Sequence, residues 1–185
     1  MLIRIMWCKE REDNINKMLS SLGQPAEVIW DEDHNACHTL CRVLDSDEDM
    51  LVMEDDIELC KDFYEKAMKE IQEHPDCFCM FYCTGQWEKE APHDREIGKP
   101  YNRPYVYTQA YYVPKWIGKK LVEHLREDYH ANHRRWSIWI NKFLRENKIP
   151  RYLAYPSLVQ HISTSSILEP EAIFPIHHSE SYRYE

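Results

Sequence analysis

The sequence predicts an α/β fold in which an open sheet is covered by helices on both faces. Short apolar runs alternate with segments of helical periodicity through the first half of the chain, in the order strand, helix, strand, helix, strand. The third apolar run, residues 50–53, is uninterrupted, which is typical of a strand buried on both faces. In open α/β sheets, ligands bind at the carboxyl ends of the strands, so the residues after these runs are the first candidates for a site.

The elements of the first half follow from local signals. The first helical segment ends at Gly23, a common helix C-cap, with Pro25 behind it. A later helix stops before Pro75. The predicted elements are, in chain order, strand Leu2–Trp7, helix 11–22, strand 26–30, helix 35–44, strand 50–53 and helix 60–73.

The second half begins with another apolar run and then loses its periodicity. The polar stretch 84–104 contains several glycines and prolines, and a loop of this length in a compact domain is commonly a functional lid or disordered. The last fifteen or so residues are expected to be a tail. The predicted elements are strand 77–83, loop 84–104, strand 105–113, helix 115–125, helix 134–146 and a strand or extended segment 152–156.

Length and composition are those of one domain. The chain has 185 residues, of which 43% are hydrophobic and 12% aromatic, so we predict a single domain over residues 1–167 and a tail over 168–185. No stretch approaches a membrane span, and the N-terminus is too short and too charged for a signal peptide, so a cytoplasmic location is expected. The seven cysteines are odd in number and lack a CxxC pair, which predicts reduced, mostly buried thiols.

Charge divides the chain into two unlike halves. Residues 1–90 hold 9 basic and 22 acidic side chains, a net charge of −13. Residues 91–151 hold 13 basic and 6 acidic side chains, a net charge of +7, and are interleaved with tyrosine and tryptophan. Basic residues among aromatics indicate a surface for a polyanion or for sugars, or else an ordinary solvated face over an aromatic core.

The acidic triplet Glu54, Asp55 and Asp56 follows the central buried strand. Three adjacent carboxylates repel one another and stay ionised only beside a cation, most simply a divalent metal, which would in turn hold phosphates. The alternative is an acidic turn without a ligand, since a bare EDD is a weak motif.

Several stretches together resemble small nucleotide-sugar glycosyltransferases of the GT-A fold. They are the α/β first half, LVMEDDI, TQAYYVPKWIGKKL and YPSLVQHISTSS, and they cover most of residues 1–165. The resemblance is to lipopolysaccharide-type and phage-encoded enzymes in which EDD replaces the usual DXD. It implies a GT-A-like open mixed sheet flanked by helices, with a Rossmann-like nucleotide-sugar half over residues 1–90 and an acceptor half over residues 91–167.

The same resemblance implies a reaction and a cofactor. A sugar would move from a nucleoside diphosphate sugar, expected to be a UDP-sugar, to an acceptor hydroxyl. One Mn²⁺ or Mg²⁺ would bridge the donor phosphates, and carboxylates with one imidazole suit these ions better than zinc. The implied metal ligands are Asp56 and His161, with Glu54 as a further candidate.

The resemblance also implies residues that bind the donor, although each has a structural alternative. Trp7 also fits the core, Arg11 a helix start and Arg42 a salt bridge. The implied positions are Trp7, Cys8 and Arg11 near the base, Asp31 or Asp33 on the base or ribose, Arg42 near the diphosphate, and Glu54 or Asp55 toward the ribose or sugar.

The catalytic base is where the sequence departs from the family. Inverting members place an acid just before the helix that here begins near Arg134, but the preceding residues are Asn132 and His133. The candidates are Asp128, Glu127 and His133, of which Asp128 is preferred. A retaining mechanism or a base elsewhere stays open.

The acceptor and the reaction class have alternatives too. A hydroxymethylated base in DNA, an oligosaccharide, a lipid-linked sugar or a protein are all compatible acceptors, although the net charge of −9 disfavours tight non-specific DNA binding. A metal-dependent phosphohydrolase or nuclease would need further ligands, for which His34 with Asp33 or His177 with His178 are the only candidates. A catalytically silent sugar- or nucleotide-binding module is the third hypothesis.

Overall fold

A computed structural model describes residues 1–33, 35–83, 106–128, 136–162, 179 and 182–184. A 3-10 turn, Lys9–Arg11, leads into the first α-helix. The elements are, in chain order, β1 Leu2–Trp7, α1 Glu12–Leu22, β2 Glu27–Trp30, α2 Ala36–Leu44, β3 Met50–Glu54, β4 Ile57–Leu59, α3 Phe63–Glu73, β5 Phe78–Met80, β6 Ala110–Val113, α4 Lys115–Asp128, α5 Trp136–Glu146, β7 Arg151–Leu153 and β8 Val159–His161.

The strands form a six-stranded mixed sheet and a separate two-stranded sheet. The large sheet has the order β2-β1-β3-β6-β5-β7. Strands β1, β2 and β3 are parallel, β6 runs antiparallel to both β3 and β5, and β7 is parallel to β5. The small sheet pairs β4 with β8 in antiparallel register. The predicted α/β fold, an open mixed sheet flanked by helices, is confirmed.

The strand order reverses at β1, and this reversal locates the crevice of the fold. From β1 the chain moves to β2 on one side and then crosses back to β3 on the other side. Because crossovers between parallel strands are right-handed, α1 and α2 lie on opposite faces of the sheet. Such a switch point leaves a crevice outside the carboxyl ends of β1 and β3, where open α/β sheets bind their ligands.

The core is centred on β3, as the uninterrupted apolar run predicts. Its four apolar residues, 50–53, are at most 1% exposed. Helix α4 comes close to this strand at Gly118, where a Cβ atom would lie 3.0 Å from Cε of Met50 and 3.3 Å from the carbonyl oxygen of Leu44. Strand β3 is therefore held rigidly up to the point where the acidic triplet begins.

Several predicted boundaries are wrong, mostly at short strands. The helix predicted from Cys60 begins only at Phe63, because Asp62 adopts a left-handed conformation with φ of 56°. The predicted strands 77–83 and 105–113 are reduced to β5 and β6, the helix 115–125 extends to Asp128, and the segment 152–156 is replaced by β7. Strands β4 and β8 were not predicted, since three residues are too few to show a period. Residues 84–105 and 129–135 lie outside the described part.

The thiols and the end of the chain complete the fold. All seven cysteines are free and buried, as predicted. Near the C-terminus, the backbone N–H of Ser179 donates to the side-chain oxygen of Gln160, and Lys61 donates to the carbonyl oxygen of Tyr184, so these tail residues pack against the β4–β8 sheet. Among the described helices, none has the length and apolar character needed to cross a membrane.

Candidate active site at the carboxyl end of β3

The three carboxylates of the triplet have different surroundings. Both oxygens of Asp55 are engaged by the protein: Oδ2 accepts from the backbone N–H of Cys8 at 2.8 Å and from its thiol at 3.0 Å, and Oδ1 lies 2.6 Å from Nη1 of Arg11. Burial, followed by this contact with Asp55, raises the pKa of the Cys8 thiol, so the sulfur keeps its proton. Asp55 therefore joins the end of β3 to the turn after β1.

Asp56 meets His161 across the small sheet. The β4–β8 ladder pairs Ile57 with His161, and the backbone N–H of Ile162 donates to the carbonyl oxygen of Asp56 at 2.9 Å. This register brings Nε2 of His161 to 3.1 Å from Oδ2 of Asp56. Two residues that are 105 apart in sequence are thus brought together by backbone pairing. Their shared role as metal ligands, which the family resemblance implied, stays a prediction.

The carboxylate of Asp56 is held ionised, and only one of its two oxygens has partners in the described structure. Nη1 of Arg11 lies 2.9 Å from Oδ2, the same oxygen that faces His161. Burial alone would raise the pKa of Asp56, but the hydrogen bond with His161 and the charge of Arg11 outweigh it, and the pKa lies below its ordinary value. The other oxygen, Oδ1, is inaccessible to solvent and has no hydrogen-bond partner in the described structure.

Glu54 has the opposite electrostatic character. Its Oε1 atom is also buried and without a partner, while the side chain hydrogen-bonds to Thr108. Burial and then the negative charge of Asp56 raise its pKa well above the ordinary value. In the absence of an added cation, Glu54 therefore holds a proton more readily than Asp56 does.

The pair of Asp56 and His161 fits a divalent cation. Two adjacent ligands of an octahedral ion lie about 3 Å apart when each metal–ligand distance is about 2.1 Å, which matches the 3.1 Å between these atoms. The unpartnered Oδ1 of Asp56 and Oε1 of Glu54 supply further oxygen atoms. Oxygen with one imidazole is a donor set compatible with Mn²⁺ or Mg²⁺.

The triplet does not form a closed metal cage by itself. Within the described residues, the one trio whose candidate ligand atoms all lie within 4.8 Å of one another is Glu70, Glu73 and His74 on α3. These residues meet simply because positions three and four apart share a helix face. Glu70 also accepts a hydrogen bond from Tyr152, so its proximity to His74 carries no functional argument.

The predicted base- and ribose-binding residues near β2 have mainly internal partners. Oδ1 of Asp31 accepts from the backbone N–H of Asn35 at 2.9 Å and from the hydroxyl of Thr39 at 2.9 Å, so it stabilises the start of α2. Asp33 is exposed and pairs with Nδ1 of His38 at 2.9 Å, and the hydrogen bond from His38 lowers the pKa of Asp33.

Arg42 and the side chains of Trp7 and Trp30 lie near the carboxyl ends of β1 and β2. Arg42 donates to the carbonyl oxygen of Trp30 and to the hydroxyl of Thr39, and lies 3.7 Å from the carboxylate of Glu32. The rings of Trp7 and Trp30 are 6.2 Å apart and tilted by 44°. Trp30 is 43% exposed, so the aromatic pair is open to solvent on one side.

The candidate catalytic bases are not located by the structure. Asp128 is the last residue of α4, but its side chain lies outside the described part, and so do all atoms of His133. Glu127, on the same helix, is exposed. His34, His177 and His178, the extra ligands that a hydrolase would need, also lie outside the described part.

Sequence reasoning missed polar residues on β6 and just before it. Thr108 contacts Glu54, while Gln109 Oε1 and Tyr111 Oη are buried and without a partner. They belong to the TQAYYV stretch that contributes to the family resemblance, but their polarity was not interpreted. The available signal was the polar pair Thr108 and Gln109 directly ahead of an apolar strand.

Comparison with known proteins gives only distant structural matches. No protein-family model matches the chain, and neither does any curated protein sequence. The chain is similar to a glycosyltransferase involved in glycosylation of the major capsid of PBCV-1, with 12% identity, a TM-score of 0.46, and coverage of 84% of this chain and 83% of the other. It is also similar to a CTP:phosphocholine cytidylyltransferase from Streptococcus pneumoniae, with 12% identity, a TM-score of 0.47, and coverage of 86% and 72%. TM-scores this low carry no functional argument, so the function has to be argued from the site.

Proposed function

We propose that the chain is a metal-dependent glycosyltransferase that moves a sugar from a nucleoside diphosphate sugar, expected to be a UDP-sugar, to an acceptor hydroxyl. The observation that carries the proposal is the pair of Asp56 and His161 at the switch-point crevice, with Oδ1 of Asp56 left unpartnered. Such a pair provides oxygen and nitrogen ligands where an open α/β sheet binds its ligand.

Each residue of the site has a separate role in this proposal. Asp56 and His161 would hold Mn²⁺ or Mg²⁺, with Glu54 close by. The bound cation would neutralise the departing diphosphate, which an acidic site would otherwise repel. Asp55 orients Arg11 through a contact of 2.6 Å, and Arg11, together with the stronger effect of the hydrogen bond from His161, keeps Asp56 ionised.

We propose that the acceptor is a saccharide, in preference to a polyanion such as modified DNA. The positive charge of residues 91–151 is partly neutralised where the structure describes it, since Lys119 lies 2.6 Å from Asp47 and Arg126 lies 3.5 Å from Asp45. A polyanion would have to compete with these carboxylates. Seven buried free thiols fit a reducing compartment, so the proposed location is the cytoplasm, that of the host if the gene is phage-encoded.

Calorimetric titration with UDP, with and without Mn²⁺, tests the proposal. We expect Mn²⁺-dependent UDP binding in the wild type and its loss in Asp56→Asn and in His161→Ala. The matched controls are Glu73→Gln and His74→Ala, which likewise remove one carboxylate and one imidazole, here from the trio at the end of α3, and are expected to leave binding unchanged. Melting curves of all four variants separate lost binding from lost folding.

The products distinguish the alternative functions. A glycosyltransferase supplied with a UDP-sugar releases UDP, whereas a phosphohydrolase that cleaves the diphosphate bond releases UMP and a sugar phosphate, and a nuclease cleaves a nucleic acid substrate. UDP binding without any turnover, even slow donor hydrolysis, would support the silent binding module. The absence of UDP binding under every condition would refute the glycosyltransferase proposal.

A further inference from the structure

Three buried polar atoms without partners cluster on one face of the β3–β6 ladder. They are Oε1 of Glu54, Oε1 of Gln109 and Oη of Tyr111. The backbone N–H of Glu54 donates to the carbonyl oxygen of Gln109 at 2.9 Å, and the ladder pairs Val52 with Tyr111. Since side chains alternate between faces along a strand and cross-strand partners share a face, Glu54, Gln109 and Tyr111 lie on the same side of the sheet.

The surroundings of this cluster are well fixed. Tyr111 is 1% exposed and stacks on Phe78 with ring centroids 5.1 Å apart. Thr108, which hydrogen-bonds Glu54, also accepts a hydrogen bond from the indole N–H of Trp136 at 3.3 Å, so the first residue of α5 closes the cluster on one side. The ring of Tyr111 and the hydroxyl of Thr108 are therefore each held by a neighbouring aromatic residue.

An unpartnered buried polar group is costly, because it has lost its hydrogen bonds to water without gaining a partner in the protein. Native proteins retain such groups mainly where a ligand or a bound water completes them. Here Glu54 and Tyr111 lie on the adjacent strands β3 and β6, Gln109 directly precedes β6, and Glu54 is two residues before Asp56. Their position indicates a ligand subsite next to the proposed metal pair, rather than scattered packing defects.

The chemistry of the three groups selects the ligand class. A carboxylate oxygen, an amide and a phenol together accept and donate hydrogen bonds, and none of them is cationic. The negative charge of Asp56 beside Glu54 disfavours a phosphate at this position. Neighbouring hydroxyls of a sugar ring, by contrast, can donate to Glu54 and Gln109 and accept from Tyr111.

We propose that Gln109, together with Glu54 and Tyr111, binds hydroxyl groups of the sugar that is transferred and thereby selects the donor sugar. The inference rests on the proposed function, because it assumes that Asp56 and His161 anchor the diphosphate to which this sugar is attached. Two residues of extended chain span at most about 7 Å, so the distance between Glu54 and Asp56 is comparable to the size of one sugar ring. Gln109 is then a specificity determinant that sequence reasoning did not include.

The test compares UDP, which lacks the sugar, with UDP-glucose, UDP-galactose and UDP-N-acetylglucosamine by calorimetry in Mn²⁺. We expect Gln109→Leu to bind UDP within twofold of the wild type and to lose at least tenfold in affinity for the UDP-sugar that the wild type prefers. Gln72→Leu, on the exposed face of α3, is the matched control and is expected to change neither affinity.

A second variant protects the test against a folding defect. Tyr111→Phe removes one unpartnered buried hydroxyl, so its melting temperature is expected to equal or exceed that of the wild type while its preference for the UDP-sugar over UDP falls. Its control is Tyr112→Phe on the opposite face, whose hydroxyl donates to the carbonyl oxygen of Pro75 at 3.2 Å.

The outcomes separate the two proposals. If UDP binds normally but both Gln109→Leu and Tyr111→Phe retain the wild-type ratio of UDP-sugar to UDP affinity, the sugar subsite is refuted and the cluster holds water only. If the wild type binds no UDP at all, the proposed function fails, and the subsite fails with it.

Discussion

Arg11 lies beside the proposed metal ligand, where its positive charge would compete with a bound cation. Removal of Arg11 is therefore predicted to increase metal affinity. Its Nη1 atom lies 2.6 Å from Oδ1 of Asp55 and 2.9 Å from Oδ2 of Asp56, and its side chain is 20% exposed. Removing a positively charged residue from a proposed diphosphate site should weaken anion binding. Removing it from beside a metal ligand should strengthen metal binding, and Arg11→Gln tests the second effect.

The magnitude follows from the distances. A cation bound to Oδ2 of Asp56 at about 2.2 Å would come within about 5 Å of Nη1 of Arg11. The repulsion between charges of +1 and +2 at this distance is about 2 kcal/mol in a water-like medium and about 7 kcal/mol at an effective dielectric constant of 20. Arg11 can relieve part of this by turning toward solvent, so we expect Arg11→Gln to bind Mn²⁺ at least about tenfold more tightly, an effect of about 1.4 kcal/mol.

The assay is titration of free Mn²⁺ by electron paramagnetic resonance without nucleotide, which reads metal affinity independently of activity. The matched control is Arg4→Gln, which makes the same change in net charge on β1 and breaks the 2.8 Å pair with Glu27. Arg11→Gln is also expected to melt at a lower temperature without metal, because Asp55 and Asp56 lose their counter-ion. Mn²⁺ affinity equal to or below that of Arg4→Gln would refute the reasoning.

Three further predictions concern stability. Gly118→Ala is expected to lower the free energy of unfolding by about 1–3 kcal/mol despite the higher helix propensity of alanine. The reason is that the added Cβ meets the Cε atom of Met50 at 3.0 Å and backbone carbonyl oxygens at 3.3 Å. An unchanged denaturant midpoint would contradict this. Asp31→Ala is expected to lose about 0.5–2 kcal/mol in the same assay through its bonds to Asn35 and Thr39, whereas a residue that only binds ligand would show no loss. Because the pKa of Glu54 is raised in the folded state, the folded protein holds this proton more tightly than the unfolded chain. The stability of the wild type should therefore fall as the pH rises above about 4.5 toward that raised pKa. The expected loss is about 1.4 kcal/mol for each pH unit. Metal-free Glu54→Gln should therefore gain melting temperature over the wild type at pH 8 but not at pH 4, and an equal gain at both would contradict the assignment.

The sequence predicted the first half of the fold well because that half is built from long, periodic elements. The first strand is Leu2–Trp7 as predicted, and α1 and α2 each begin one residue later than expected. The strands that carry the site were harder, since β4 and β8 have three residues each and no readable period. Pairing between such strands depends on the finished core, which local propensity does not encode.

The candidate site shows the same division between what local pattern contains and what tertiary structure adds. The acidic triplet and its place at the end of a buried strand were readable from residues 50–56. The meeting of Asp56 with His161 was implied only by the family resemblance, because no spacing rule connects residues so far apart. A salt bridge was the stated alternative for Arg42, but the partners of Asp31 and Arg42 could not be identified from sequence, since residues such as Thr39 become their neighbours only when α2 packs beside β2.

The EDD triplet works as three separate groups because the fold treats each carboxylate differently. Asp55 is saturated by Cys8 and Arg11, so its charge serves to hold β3 against the turn after β1. This contact also fixes the guanidinium of Arg11 beside Asp56, which stays ionised without added metal. Glu54, for which burial outweighs the charge of Arg11, is left with a raised pKa and a buried oxygen without a partner. A single buried strand end thus contains one carboxylate saturated by protein partners, one whose pKa is lowered and one whose pKa is raised, and the difference between them arises from their surroundings. In our proposal, the second binds the cation and the third binds sugar hydroxyls.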